Sequence, residues 1–207
     1  MKVYTIPAGP LATNCYLLAG ESGRCAIIDP GGEPEKIEQV MKEHNLTPEM
    51  ILLTHGHYDH MGGADALRRQ YQIPILVHED DRIMLETAAF NVSAEITGHP
   101  VILSPDRVLT DGDKLLVDKQ PVLVIHTPGH TRGGICLVEG TNLFSGDTLF
   151  RQSMGRTDLY GGDERALLAS LAKLVSLPGD YTVYPGHGPA TTLNWERQHN
   201  PYMRAHL

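Results

Sequence analysis

Six consecutive residues, His55-Gly56-His57-Tyr58-Asp59-His60, carry three imidazoles and a carboxylate, and they follow directly on the apolar run Met50-Ile51-Leu52-Leu53. Neutral imidazole and carboxylate are the donors that divalent zinc, iron and manganese accept, and a loop leaving a buried strand can turn alternate side chains toward two ions at once. Four other segments end in the same way, with His or Asp among glycines after a short apolar run. Cys25-Ala26-Ile27-Ile28 leads into Asp29-Pro30-Gly31-Gly32, and Val122-Leu123-Val124-Ile125 leads toward Thr127-Pro128-Gly129-His130. Asn142-Leu143-Phe144 leads into Ser145-Gly146-Asp147-Thr148, and Tyr181-Thr182-Val183-Tyr184 into Pro185-Gly186-His187-Gly188. Strand ends gathered on one edge of a fold would bring these side chains into a common cleft, where α/β proteins usually place ligand sites.

The elements needed to position them are legible in outline. Runs rich in Val, Ile and Tyr predict strands at 2–6, 15–18, 25–29, 50–54, 75–77, 115–117, 122–126, 135–138, 142–145 and 181–184. Helices are expected at 33–44, with Pro34 in the first turn, at 62–71, near 79–86 and at 163–176. In the last of these Leu167, Leu168, Leu171, Leu174 and Val175 recur at helical spacing, which marks a core face. Strands alternating with helices give a mixed α/β class. The stretch 87–107 is too weakly periodic to assign.

Composition narrows the function. A chain of 207 residues predicts one domain over 1–207, since a single core at this size can bury about 70% of the unfolded surface. A formal charge of -8 disfavours a nucleic-acid surface, which would show a basic stripe. No apolar run approaches the roughly 18 residues of a membrane span, and the first residues do not read as a signal peptide. Cys15, Cys25 and Cys136 form no C-x-x-C pair, and an odd number cannot all pair within the chain, so reduced thiols and a cytoplasmic location are expected. Oligomeric state is not encoded legibly.

The ordered series Asp29, His55-x-His57-x-Asp59-His60, His130, Asp147 and His187 resembles the metallo-β-lactamase fold superfamily, over nearly the whole chain. The resemblance implies a four-layer αββα sandwich with a metal cleft at one edge of the two sheets. It implies His55, His57 and His130 on a first metal, Asp59, His60 and His187 on a second, and Asp147 bridging both, with Asp29 bracing the histidine loop. Each ion then keeps a position for a shared water. Two ions about 3.5–4 Å apart lower the pKa of that water toward about 7 and supply a bridging hydroxide nucleophile, so hydrolysis is the expected reaction, with Asp59 counted among the catalytic groups. This donor set suits zinc, iron and manganese alike; two zinc ions are the expected cofactor, with iron or manganese as the alternatives.

Asp147 stands where the best-known zinc β-lactamases of this superfamily have cysteine, which disfavours antibiotic hydrolysis. Gly146-Asp147-Thr148-Leu149-Phe150, Gly155-Arg156-Thr157-Asp158 and Thr127-Pro128-Gly129-His130-Thr131 look like the glyoxalase II and persulfide dioxygenase branch. The expected substrate is therefore a small thioester such as S-lactoylglutathione. The alternative is a mononuclear iron dioxygenase using the positions of His55, His130 and Asp147. Gly186-His187-Gly188-Pro189 replaces the Gly-His-Glu-Tyr of animal-type glyoxalase II, and only 20 residues follow His187, so the match is closer to short bacterial glyoxalase II-like hydrolases. Arg156, in a loop that begins at Asp147, is the expected substrate contact: a guanidinium there could hold a carboxylate or amide by paired hydrogen bonds. His44, His78, His99, His199 and His206 lie outside the motifs, and His126 alternates away from the His130 segment.

Overall fold

A computed structural model describes residues 1–204; His206 lies outside the described residues. The first sheet has six strands in sequence order: β1 (Lys2–Ala8), β2 (Thr13–Ala19), β3 (Arg24–Ile28), β4 (Thr47–Leu52), β5 (Ile75–His78) and β6 (Arg107–Leu109). The second also has six, β7 (Lys114–Val117), β8 (Gln120–His126), β9 (Ile135–Glu139), β10 (Asn142–Gly146), β13 (Thr182–Pro185) and β14 (Thr191–Thr192), in the order β14-β13-β10-β9-β8-β7. Between β10 and β13 a small hairpin forms from β11 (Leu149–Phe150) and β12 (Ser153–Met154).

The alternation of side chains along these strands builds the layers. Cys15, Leu17 and Ala19 of β2 face one core together with Ile37, Met41, Ala64 and Leu67 from the helices α1 (Pro34–Glu43) and α3 (Ala64–Tyr71). Their neighbours Tyr16 and Leu18 face a second core, between the sheets, with Val122, Val124, Leu137 and Phe144. Cys136 and Leu143 face a third, against Leu171 and Leu174 of α6 (Glu164–Val175), Leu193 of α7 (Leu193–His199) and Met203 of α8 (Pro201–Arg204). Helix, sheet, sheet and helix therefore stack as the expected αββα sandwich. Burying a Leu, Ile or Phe in these cores contributes about 1.5–3 kcal/mol each relative to exposure. Cys15, Cys25 and Cys136 are all free and buried, and among the described residues no helix is long and apolar enough to cross a membrane.

Three short helices, α2 (Tyr58–Met61), α4 (Arg82–Glu86) and α5 (Ser93–Thr97), lie near the strand ends. The expected helix at 62–71 is α3, which starts two residues later at Ala64 and is preceded across Gly62-Gly63 by the separate short α2, and the one near 79–86 begins with a single 3-10 turn at Glu79–Asp81. The unassigned stretch 87–107 folds around a buried asparagine. Asn91 Nδ2 donates to the carbonyls of Met84 and Val101, its Oδ1 accepts from Ser93 N, and its own carbonyl accepts from Tyr58 N. Side-chain hydrogen bonds of this kind replace a ladder, so no apolar period is required.

Candidate metal centre

Every strand end singled out in the sequence opens on the same edge. β3 and β4 run parallel, so Asp29 and the His55–His60 loop leave the first sheet side by side. β10 and β13 are also parallel, which sets Asp147 beside His187 at the end of the second. His55, His57, Asp59, His60 and His130 are all buried, while Asp147 and His187 are slightly open to the cleft.

The donor atoms converge in two sets. His57 Nδ1 lies 3.0 Å from His130 Nε2, and His130 Nε2 lies 3.5 Å from Asp147 Oδ2. In the other set, His187 Nε2 is 3.1 Å and His60 Nε2 is 3.5 Å from Asp59 Oδ2. Asp147 reaches both sets. Its Oδ2 is 3.7 Å from His187 Nε2 and its Oδ1 is 3.4 Å from His60 Nε2. Two donors each about 2.0–2.1 Å from one tetrahedral ion stand about 3.3 Å apart, which is the spacing these edges approach.

The electrostatics ask for positive charge at the same point. Burial, reinforced by His60 and His130, pushes the His55 imidazole well below its ordinary range, and burial pushes His57 down to about 3. Both are therefore neutral with a lone pair free. For His60 burial pulls the same way, yet Asp147, Asp59 and Asp29 together raise it well above the ordinary range. Burial opposes ionisation of Asp147 as well, and the surrounding histidines, His60 first, still hold its carboxyl low. A cluster that favours a proton amid its carboxylates favours a cation there. His55 Nε2, His57 Nε2, His60 Nε2 and Asp147 Oδ1 are moreover buried with no hydrogen-bond partner. His57 turns Nδ1, not Nε2, toward His130, so the unsatisfied atoms within the donor sets are those of His55, His60 and Asp147; leaving them so would cost about 1–3 kcal/mol each in a metal-free protein, and the residues present fit divalent metal ions.

Outer partners aim the donors. Asp29, at a left-handed φ of 49°, accepts Thr54 N at 2.7 Å and Thr54 Oγ1 at 2.6 Å and stands 3.0 Å from His60 Nδ1, turning Nε2 of that ring inward. The Arg156 carbonyl lies 2.7 Å from His130 Nδ1 and does the same for His130. Thr13 Oγ1 donates to Asp59 Oδ2 at 3.1 Å. Asn14 Nδ2 and Tyr16 OH bind the Pro185 carbonyl and so fix the His187 turn. Cys15, between them, is a buried strand residue.

One buried carboxylate escaped the sequence reading. Asp81 accepts Gly56 N at 2.9 Å, Thr131 Oγ1 at 2.7 Å and Gly133 N at 2.6 Å, tying the His55–His60 loop to the loop that carries His130. Burial pushes its carboxyl up while those three donors pull it back. In the sequence it sits in Glu79-Asp80-Asp81, a charge run that reads as a solvated helix start.

Arg156 does line the cleft, but its guanidinium forks onto Asp158, Nε to Oδ1 at 2.7 Å and Nη2 to Oδ2 at 2.6 Å. A further grouping, His78, Asp80 and His126, lies outside the cleft. Its two rings stack at 4.0 Å and 11°, so their in-plane lone pairs run side by side rather than converging, and His126 Nε2 is 2.8 Å from the Arg132 carbonyl. His126 therefore takes no part in the centre.

Gly186 passes against the second donor set. A Cβ built there would lie 2.2 Å from Asp147 Oδ1 and 2.6 Å from His60 Cε1. Gly186→Ala is expected to keep the fold and to reduce metal affinity and activity at least tenfold, about the effect of disturbing a ligand's orientation; metal titration of the purified variant checks it.

Comparison with known proteins agrees with this geometry. A family described as the metallo-beta-lactamase superfamily matches residues 8–187. The chain belongs to that superfamily. Among its relatives, the probable metallo-hydrolase YqgX of Bacillus subtilis (strain 168) is 39% identical, with 98% of each chain covered. The hydroxyacylglutathione hydrolase GloC of Haemophilus influenzae is 36% identical, with 99% of each covered. Among solved structures, the BLEG-1 B3 metallo-beta-lactamase superposes with a TM-score of 0.93 at 42% identity, covering 98% of this chain and 99% of that one. TTHA1623, solved in a di-iron-bound form, gives 0.86 at 39%, covering 96% and 99%. The chain is thus a superfamily member whose His/Asp cluster suits divalent metals.

Proposed function

We propose that this protein is a binuclear metal-dependent thioesterase of the glyoxalase II type, acting on S-lactoylglutathione or a related small thioester in the cytoplasm. The observation that carries the reading is the double donor set sharing Asp147, with buried polar atoms of His55, His60 and Asp147 unpaired within it. His55, His57 and His130 would hold one ion, Asp59, His60 and His187 the other, and Asp147 both; zinc is the favoured metal, with iron or manganese compatible. When bound, the ions lower the pKa of a shared water and polarise the substrate carbonyl.

The side chains supply the rest. Burial opposes the charge on Asp59, yet His60 and His187 hold its carboxyl well below the usual range. It lines the cleft as an ionised acceptor fixed by Thr13 and can orient the attacking water through a hydrogen bond. Water adds at the carbonyl carbon and the C–S bond breaks; of the two protons of that water one ends on the departing thiolate and the other in solvent, leaving the carboxylate. The relative named GloC supports thioester chemistry, and three unpaired thiols support a reducing compartment.

The second reading, an iron dioxygenase for a thiol persulfide, is favoured by Gly155-Arg156-Thr157-Asp158 and, weakly, by likeness to the solved ETHE1 of Myxococcus xanthus, and it leaves Asp59, His60 and His187 without a role. Zinc-loaded protein is expected to release free thiol from small thioesters and to consume no oxygen with a persulfide. Oxygen consumption by the iron-loaded form, with no thioester hydrolysis under any metal, would reverse the choice. A β-lactam substrate is the control, given the name of the BLEG-1 neighbour.

A further inference from the structure

The cleft above the metal centre encloses about 620 Å3, the size of a small-molecule site. Its walls are apolar. Leu11 comes from the turn between β1 and β2, Val92 and Ile96 from the start and end of α5, Phe150 and Met154 from the β11–β12 hairpin, and Leu159 from the loop beyond. Leu11 is 53% exposed, and the other five are partly exposed.

These walls are built rather than incidental. Val92 is held at φ 57°, a left-handed conformation that a β-branched residue rarely takes, and Asn91 beside it anchors the segment by three side-chain hydrogen bonds. Phe90 stacks on Tyr160 at 3.7 Å and 4°, clamping the α5 segment to the loop that follows Arg156. On the opposite side Glu196, fully buried, accepts Gln152 N at 2.7 Å and Thr191 Oγ1 at 2.7 Å, which pins the hairpin carrying Phe150 and Met154.

Charge is arranged against an anion on these walls. Among the described residues that line the cleft, Arg156 is the one Lys or Arg, and its fork to Asp158 makes the pair neutral. Glu95, exposed on α5, then leaves the wall net negative. A positive centre acts at the cleft floor, on the reacting carbonyl. The carboxylates of a glutathione moiety lie many bonds away from that carbonyl and would fall on the walls, where no free cation receives them.

We infer that the walls of this cleft select a neutral, apolar thioester over a glutathione thioester. The inference rests on the thioesterase reading and, within it, chooses the related small thioesters over S-lactoylglutathione. An apolar acyl or thiol chain packs against Val92, Ile96 and Phe150 with favourable burial, whereas an anionic chain must be desolvated beside Glu95 without a partner.

Binding of two inert thioethers to zinc-loaded protein tests it, by calorimetry: S-hexyl-N-acetylcysteamine, which is neutral, and S-hexylglutathione, which is anionic. The neutral ligand is expected to bind at least about tenfold more tightly. Glu95→Lys is expected to narrow the gap by improving the anionic ligand, and Ile96→Asp to weaken the neutral one about tenfold with metal content unchanged. Tighter binding of S-hexylglutathione, or equal binding of the neutral ligand by Ile96→Asp, overturns the inference. Hydrolysis of the matching thioesters is measured separately. Selective binding of the neutral ligand without thioester hydrolysis would sink the thioesterase reading while leaving the wall's preference standing.

Discussion

Asp147→Ala is expected to lower thioester hydrolysis at least about a thousandfold, roughly 4 kcal/mol of transition-state stabilisation. The size follows from its position. Its Oδ2 faces both His130 and His187 and its Oδ1 faces His60, so one truncation removes a donor from each set and the charge between them. Any other single ligand serves one set. Steady-state kinetics with metal content measured on the same sample is the check, and near-normal turnover at full occupancy would refute the bridging role.

Asp81→Ala is expected to cost about 3–5 kcal/mol of stability, among the larger effects a single substitution produces. It would leave Gly56 N–H, Gly133 N–H and the Thr131 hydroxyl buried without their acceptor. Two loops that carry metal-facing histidines would also lose their cross-tie. Urea unfolding of metal-free protein should show a lower midpoint at an unchanged slope, since the exposed surface on unfolding is the same. A loss below about 1 kcal/mol would show that water replaces the carboxylate without penalty.

How far the sequence reached differs by element. The His55–His60 cluster was legible because six residues hold all four of its donors. His130, Asp147 and His187 could be joined to it because each ends an apolar run, and parallel pairing of β3 with β4 and of β10 with β13 places such ends together. Helix α6 was legible from its leucine stripe. Strand β6 was not, as Arg107 and Val108 are exposed and only Leu109 is buried, which is too little for an alternating pattern. α5 is set by Asn91, through side-chain bonds 7 and 10 residues away, and the β11–β12 hairpin is pinned in part by Glu196, 44 residues away; periodicity registers neither kind of polar contact. Asp81 failed for the same reason, its partners lying 25, 50 and 52 residues away. Arg156 was placed at the cleft by its distance from Asp147, but its fork to Asp158 depends on side-chain geometry that spacing does not specify.

Seven residues are expected to form one centre for two ions. A crystal structure of protein purified without chelator, with anomalous diffraction recorded across the zinc, iron and manganese edges, tests it most directly. Two anomalous peaks about 3.5–4 Å apart are expected, with Asp147 between them, His55, His57 and His130 on one and Asp59, His60 and His187 on the other. A single peak held by His55, His130 and Asp147, unchanged after soaking in excess metal, would contradict it.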